Sequence, residues 1–96
     1  MSLVSHSLTE ILNEIGDELT NQISLANNID EKIDTRKLAQ QSNALNDVIK
    51  TSELSDKDKS MLQKFSQTLV QDDATVKSLR YEKQDLERVL SNINDL

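Results

Sequence analysis

The sequence predicts an all-α fold: an antiparallel two-helix coiled-coil hairpin that completes a bundle by oligomerising or by taking a partner. Three observations predict it. The 96 residues include no Pro and a single Gly, Gly16, so few fixed breaks interrupt the chain. Aromatics are limited to Phe65 and Tyr81 and no run of β-branched residues alternates, so strand signals are close to absent. Hydrophobic residues make up 35% of the chain and charged residues 29%, a thin apolar share that suits narrow stripes on helices better than a thick core. The length allows one domain over residues 1–96.

The first helix is expected over about residues 8–50. Ser7 followed by Glu10 forms a capping box at its head. Leu8, Leu12, Ile15, Leu19, Gln22, Ala26, Ile29 and Ile33 then recur in steps of four and three, which is a heptad seam. Leu38, Leu45, Val48 and Ile49 continue an apolar face, but out of phase. Either the helix runs on to about Lys50 with a stutter, or it breaks near 34–37. One long helix with a local irregularity is the preferred reading. A turn is expected at 51–55, where Ser55 with Asp58 gives a second capping signal. A second helix, about 56–95, carries the seam Leu62, Phe65, Leu69, Asp72, Val76, Leu79, Lys83, Leu86, Leu90 and Ile93. At about 1.5 Å per residue each helix would span roughly 60 Å.

The seams match when the chain is folded about a centre between Ser52 and Glu53. Leu12 then faces Ile93, Ile15 faces Leu90, Leu19 faces Leu86, Ala26 faces Leu79, Ile29 faces Val76 and Ile33 faces Asp72. Gln22 faces Lys83, so both seams are interrupted at one height. Such a polar layer costs stability but can fix register and partner number. Lys83 snorkelling outward past a tolerated Gln22 is the alternative.

Apolar side chains are left over. Ile11, Ile23 and Leu25 flank the first seam, Val70 and Val89 flank the second, and Leu38, Leu45, Val48 and Ile49 have no mates near the turn. Burying each Leu or Ile is worth about 1.5–3 kcal/mol. These residues are therefore the expected partner-binding surface, for a helical protein partner or a second copy, in a homodimer or a heteromeric bundle.

Charge and residue content exclude several functions. Residues 1–31 contain six acids and no Lys or Arg, while 32–96 contain 11 of each sign. The net charge of −6 thus lies in the first third, which disfavours nucleic acid as a partner. There is no Cys, and His6 stands alone, so no metal site is built from such ligands. No Gly-rich loop or nucleophile motif occurs. The carboxylates Glu14, Asp17 and Glu18, and the pair Asp72 and Asp73, read as solvated helix surface. No catalytic residue, metal ligand or cofactor site is nominated, and the chain is not expected to be an enzyme. No apolar run approaches a membrane span, and residues 1–9 lack the pattern of a cleaved secretory signal. The expected location is the cytoplasm, or outside the cell by a route without a cleaved signal.

Gln41-Ser42-Asn43-Ala44-Leu45-Asn46-Asp47-Val48-Ile49 resembles a helix of the EspA-like filament and needle-tip proteins of bacterial type III secretion, and the C-terminal stretch from Ser78-Leu79 to Val89-Leu90-Ser91-Asn92-Ile93 resembles their closing helix. The chain lacks their large middle segment. The resemblance therefore implies a small chaperone, regulator or apparatus subunit of a secretion system, covering the helices of a partner. Tyr81-Glu82-Lys83-Gln84-Asp85 is similar to the Tyr-x-x-x-Asp/Glu string of the WxG hairpins of type VII secretion, although the turn has no Trp. Ile15-Gly16-Asp17-Glu18-Leu19 with Gln22 resembles the centre of a glutamine-bearing SNARE helix. That resemblance implies the alternative, a structural coiled-coil subunit of a cytosolic or membrane-tethering assembly.

The pairing carries a direct test. Leu19→Asp or Leu86→Asp should collapse the helical circular-dichroism signal, whereas Glu14→Ala should leave it intact. Unchanged melts for both Asp variants would show that the seam is misplaced.

Overall fold

The computed structural model describes residues 3–69 and 74–93, with side chains from Leu8 onward. Among the described residues are four helices: α1 (Leu3–Leu25), α2 (Arg36–Thr51), α3 (Asp56–Thr68) and α4 (Val76–Asn92). The chain is all-α, but each of the two long helices expected from the seams is cut in two. The longest dimension is 41 Å, well short of the roughly 60 Å that either uncut helix would need.

α1 begins before Ser7, whose backbone is already helical, so Ser7 does not start the helix. Leu8, Leu12, Ile15 and Leu19 are fully buried along one stripe. The helix ends in a cluster of polar side chains that compete for the backbone. The Asn28 side-chain oxygen accepts from the Asp30 amide at 3.0 Å. The Glu31 carboxylate accepts from the Asn27 amide at 3.2 Å and from its Nδ2 at 3.3 Å. These bonds turn the chain out of the helix before the stretch where a break is expected.

α2 opens on Asp34, which accepts from the Arg36 amide at 3.1 Å and holds the guanidinium at 2.7 Å. Its buried positions are Leu38, Ser42, Leu45 and Ile49, a stripe with the same four-three rhythm as α1. The phase slip in the sequence is therefore a change of helix, not a stutter. Ser52 closes α2, with both its amide (3.2 Å) and its hydroxyl (2.8 Å) on the Ile49 carbonyl. Ser55 caps α3 by accepting from the Asp58 amide at 3.2 Å, and Asp56 and Asp58 favour the positive end of the helix. A capping box begins α4: the Ser78 hydroxyl accepts from the Thr75 amide at 2.8 Å and Thr75 Oγ1 from the Ser78 amide at 3.5 Å.

Each helix packs on two others: α1 on α2 and α4, and α3 on α2 and α4. Lys37 lies by Glu18 and Gln41 by Glu14, so α2 runs back along α1. Thr68 lies by Glu82 and Met61 near Val89, so α4 runs back along α3. With short connections this is an up-down-up-down bundle closed into a ring. α1 and α4 face one another as the seams suggest. A Cβ at Gly16 would sit 3.1 Å from Leu86 Cδ2, so Leu86 packs against the turn of α1 that holds Gly16. Glycine at this position lets the two helices approach closely.

The core draws on every helix: the α1 stripe, Leu38, Leu45 and Ile49 of α2, Leu62 and Phe65 of α3, and Leu79, Leu86 and Val89 of α4. Leu69, Ala74 and Ile93 close its ends. One polar contact is embedded in it. Ser42 Oγ and Ser66 Oγ lie 2.6 Å apart across α2 and α3, and Ser42 Oγ also reaches the Ser66 carbonyl at 2.9 Å. At one end the two connections join. The Ile33 amide donates to the Ala74 carbonyl at 2.8 Å, within an isolated antiparallel bridge between Lys32 and Thr75.

Leu45→Ala should lower the free energy of unfolding by about 2–5 kcal/mol through lost burial and a cavity. Leu25→Ala, at a residue 66% exposed, should change it by no more than about 0.5 kcal/mol. Urea unfolding followed by circular dichroism measures both.

Candidate interaction surface

The bundle consumes most of the side chains expected to meet a partner. Leu38, Leu45 and Ile49 are fully buried, because α2 exists as a separate helix and lays its stripe on α1 and α3, and Val89 is buried on α4. Ile11, Ile23 and Val48 are half-buried and packed against the core. Leu25 alone of the expected set is largely exposed. Val70 and the seam residue Asp72 lie outside the described residues.

The expected polar layer is also rearranged. Gln22 and Lys83 are both half-buried. The Gln22 amide donates to Glu18 at 2.9 Å rather than meeting Lys83. Val76, Leu79, Leu86 and Ile93 keep their seam places, but Glu82 and Val89 are buried where Lys83 and Leu90 were expected. Glu18 and Glu82 are the buried acids. Glu18 is held by Gln22 and, at 3.8 Å, by Lys37. Glu18 and Lys37 line a polar groove between α1 and α2 together with Glu14, Asp17, Asn21 and Gln41. No cluster of three or more His, Cys, Asp or Glu side chains suited to a metal occurs among the described residues.

Three large apolar side chains are exposed among the described residues. Leu25 is 66% exposed, Ile29 56% and Tyr81 64%. Ile29 sits in the connection after α1 and is displaced from the seam because α1 has already ended. It meets α4 across a groove of about 400 Å³ lined by Ile29, Lys77, Arg80, Tyr81 and Gln84. Lys77, Arg80, Tyr81 and Gln84 recur at steps of three, one and three, so one face of α4 presents them together. Neither Lys77 nor Arg80 forms an ion pair with a described residue. The groove thus combines two exposed apolar side chains, one of them a phenol, with a carboxamide and two cations that no described residue pairs. Sequence periodicity missed it because Ile29 fits the α1 seam and Tyr81 looks like a seam-edge residue. The signal was the pair Asn27-Asn28, which ends α1 and frees Ile29. Tyr81, first residue of the string similar to the type VII motif, lies within α4 rather than after it.

Among the described residues Glu82 is the buried group with a displaced titration. Thr68 Oγ1 lies 2.6 Å from Glu82 Oε2 and 2.7 Å from the Phe65 carbonyl. A hydroxyl carries a single hydrogen, so an ionised Glu82 and the carbonyl compete for it. A protonated Glu82 donates to Thr68, which then donates to Phe65. Burial pushes the Glu82 carboxyl up, the Thr68 hydrogen bond opposes this, and the Asp85 charge adds to the rise. Asp34 is the opposite case: bonding to Arg36 lowers it to about 2.

A carboxyl raised in the folded state favours folding below its ordinary range, and that contribution disappears as pH climbs through the raised value. Glu82→Gln keeps the shape and removes the titration. The variant should melt a few degrees above the parent at pH 7, and the difference should vanish near pH 4. Parallel melting curves displaced equally at both pH values would show that Glu82 titrates like an exposed carboxylate.

Among the described residues no helix is long and apolar enough to cross a membrane. No family model, curated protein or solved structure matches the chain, so the secretion and SNARE resemblances stand on their quoted residues alone.

Proposed function

We propose that the chain is a non-enzymatic protein–protein interaction module that docks through the bridged end of its bundle. The observation that carries this reading is the meeting of Ile29 and Tyr81, both more than half exposed, at one groove, where the described helices otherwise bury their apolar stripes. Large apolar side chains exposed singly are ordinary on protein surfaces. Two of them lining one groove beside two cations that no described residue pairs are a better mark of contact. The expected site, a seam left open for partner helices, is replaced by this smaller surface. A small secretion-linked chaperone, regulator or apparatus subunit is the narrower form of the proposal, and it rests on residues 41–49 and 78–93.

Site-specific photo-crosslinking tests the docking reading. A benzophenone amino acid at position 81 should give a discrete adduct in extract of the source cells. The same group at position 43, exposed on α2, should not. Excess unlabelled chain should suppress the adduct, and an Ile29→Ser/Tyr81→Ser double variant should not. Equal adducts from both positions, or none from either, would overturn the reading.

A further inference from the structure

We propose that the groove between Ile29 and α4 takes a short segment of another protein in which a carboxylate lies beside a large apolar side chain. The inference rests on the docking reading and names the chemistry of its partner. The volume, about 400 Å³, is near the low end for ligand pockets, roughly 300–1,000 Å³. It admits side chains of a segment, not the body of a helix. Ile29 and Tyr81 supply an apolar floor with an aromatic face, the kind of surface that carries affinity. Lys77 and Arg80 stand three residues apart on one face of α4, and neither is neutralised by a described residue. Charges at an exposed rim add specificity and association rate more than affinity. Gln84 adds a donor and an acceptor for the segment's backbone.

Charge also argues against the other occupants. A two-fold contact between copies would bring both Lys77 and Arg80 pairs into one patch. Nucleic acid would need a row of cations along its backbone, and the groove offers two. An acidic-apolar protein segment satisfies the cations and covers the floor.

Selection from a phage-displayed library of random peptides against the immobilised full chain, followed by fluorescence anisotropy on synthetic hits, provides the test. The selected peptides should pair Asp or Glu with Leu, Ile or Phe. Their binding should weaken as salt is raised. Lys77→Glu/Arg80→Glu should weaken it by at least about tenfold, and Tyr81→Ala by a similar factor, while the melting temperature of each variant stays unchanged. Lys77→Gln/Arg80→Gln should give an intermediate loss. Neutral or basic hits, or acidic hits indifferent to charge reversal, would overturn the partner chemistry and leave the docking reading in place if the position-81 adduct is seen. Concentration-dependent dimerisation in sedimentation that Tyr81→Ala abolishes would assign the groove to a second copy instead. A library that yields no binding sequence, together with no position-81 adduct, would overturn both.

Discussion

The hydrogen bond from the Ile33 amide to the Ala74 carbonyl joins the two places where the chain leaves its long-helix path. One is the connection after α1, the other the approach to α4. A chain with so small an apolar share could form two long stripes, but each would need an outside surface to cover it. Turning back between Leu25 and Arg36 brings α2 onto α1, and the later reversal brings α4 onto α3. The bridge between Lys32 and Thr75 fastens these reversals to each other, so that neither hairpin can swing open without exposing the stripes of both. The helices, the shared core and the groove beside Ile29 all follow from that closure.

How much of this could be read in advance depends on the range of the signal. The helical class was legible, since it rests on the absence of Pro, the scarcity of Gly and the spacing of Leu and Ile. The stripes were legible too: Leu8, Leu12, Ile15 and Leu19 are fully buried, and Ser55 accepts from Asp58. The antiparallel facing of α1 and α4 was also legible. What periodicity could not supply was where a helix stops. Ala26, Ile29 and Ile33 keep the heptad rhythm beyond Leu25, so the pattern continues through a place where the backbone does not. Asn27, Asn28 and Glu31 decide the matter through local hydrogen bonds, which a count of apolar positions does not weigh. The same limit applies at Thr75 and Ser78, whose reciprocal caps interrupt an unbroken seam.

The fate of the candidate site follows from this. Once α1 ends early, α2 becomes an independent stripe, and Leu38, Leu45 and Ile49 change from surplus surface to core. Ile29 changes in the other direction, from seam to surface. Within α4 the core takes Glu82 and Val89, each one position before the expected Lys83 and Leu90. Each exchange is small in sequence and large in consequence, because burial on a helix changes from one residue to the next.

The contact between Ser42 and Ser66 bears on how the chain avoids rival arrangements. The four stripes are built mostly from Leu, Ile and Val, which pack interchangeably at modest energetic cost. Sliding one helix along another by a heptad would return similar apolar partners, and several alignments would compete. Two hydroxyls in an apolar interior tolerate no such shift, because a displaced serine loses its partner and remains desolvated. They penalise the misaligned forms more than they strengthen the native one. In landscape terms they widen the gap between one packing and its near-copies, so a uniform greasy interior yields a single folded state.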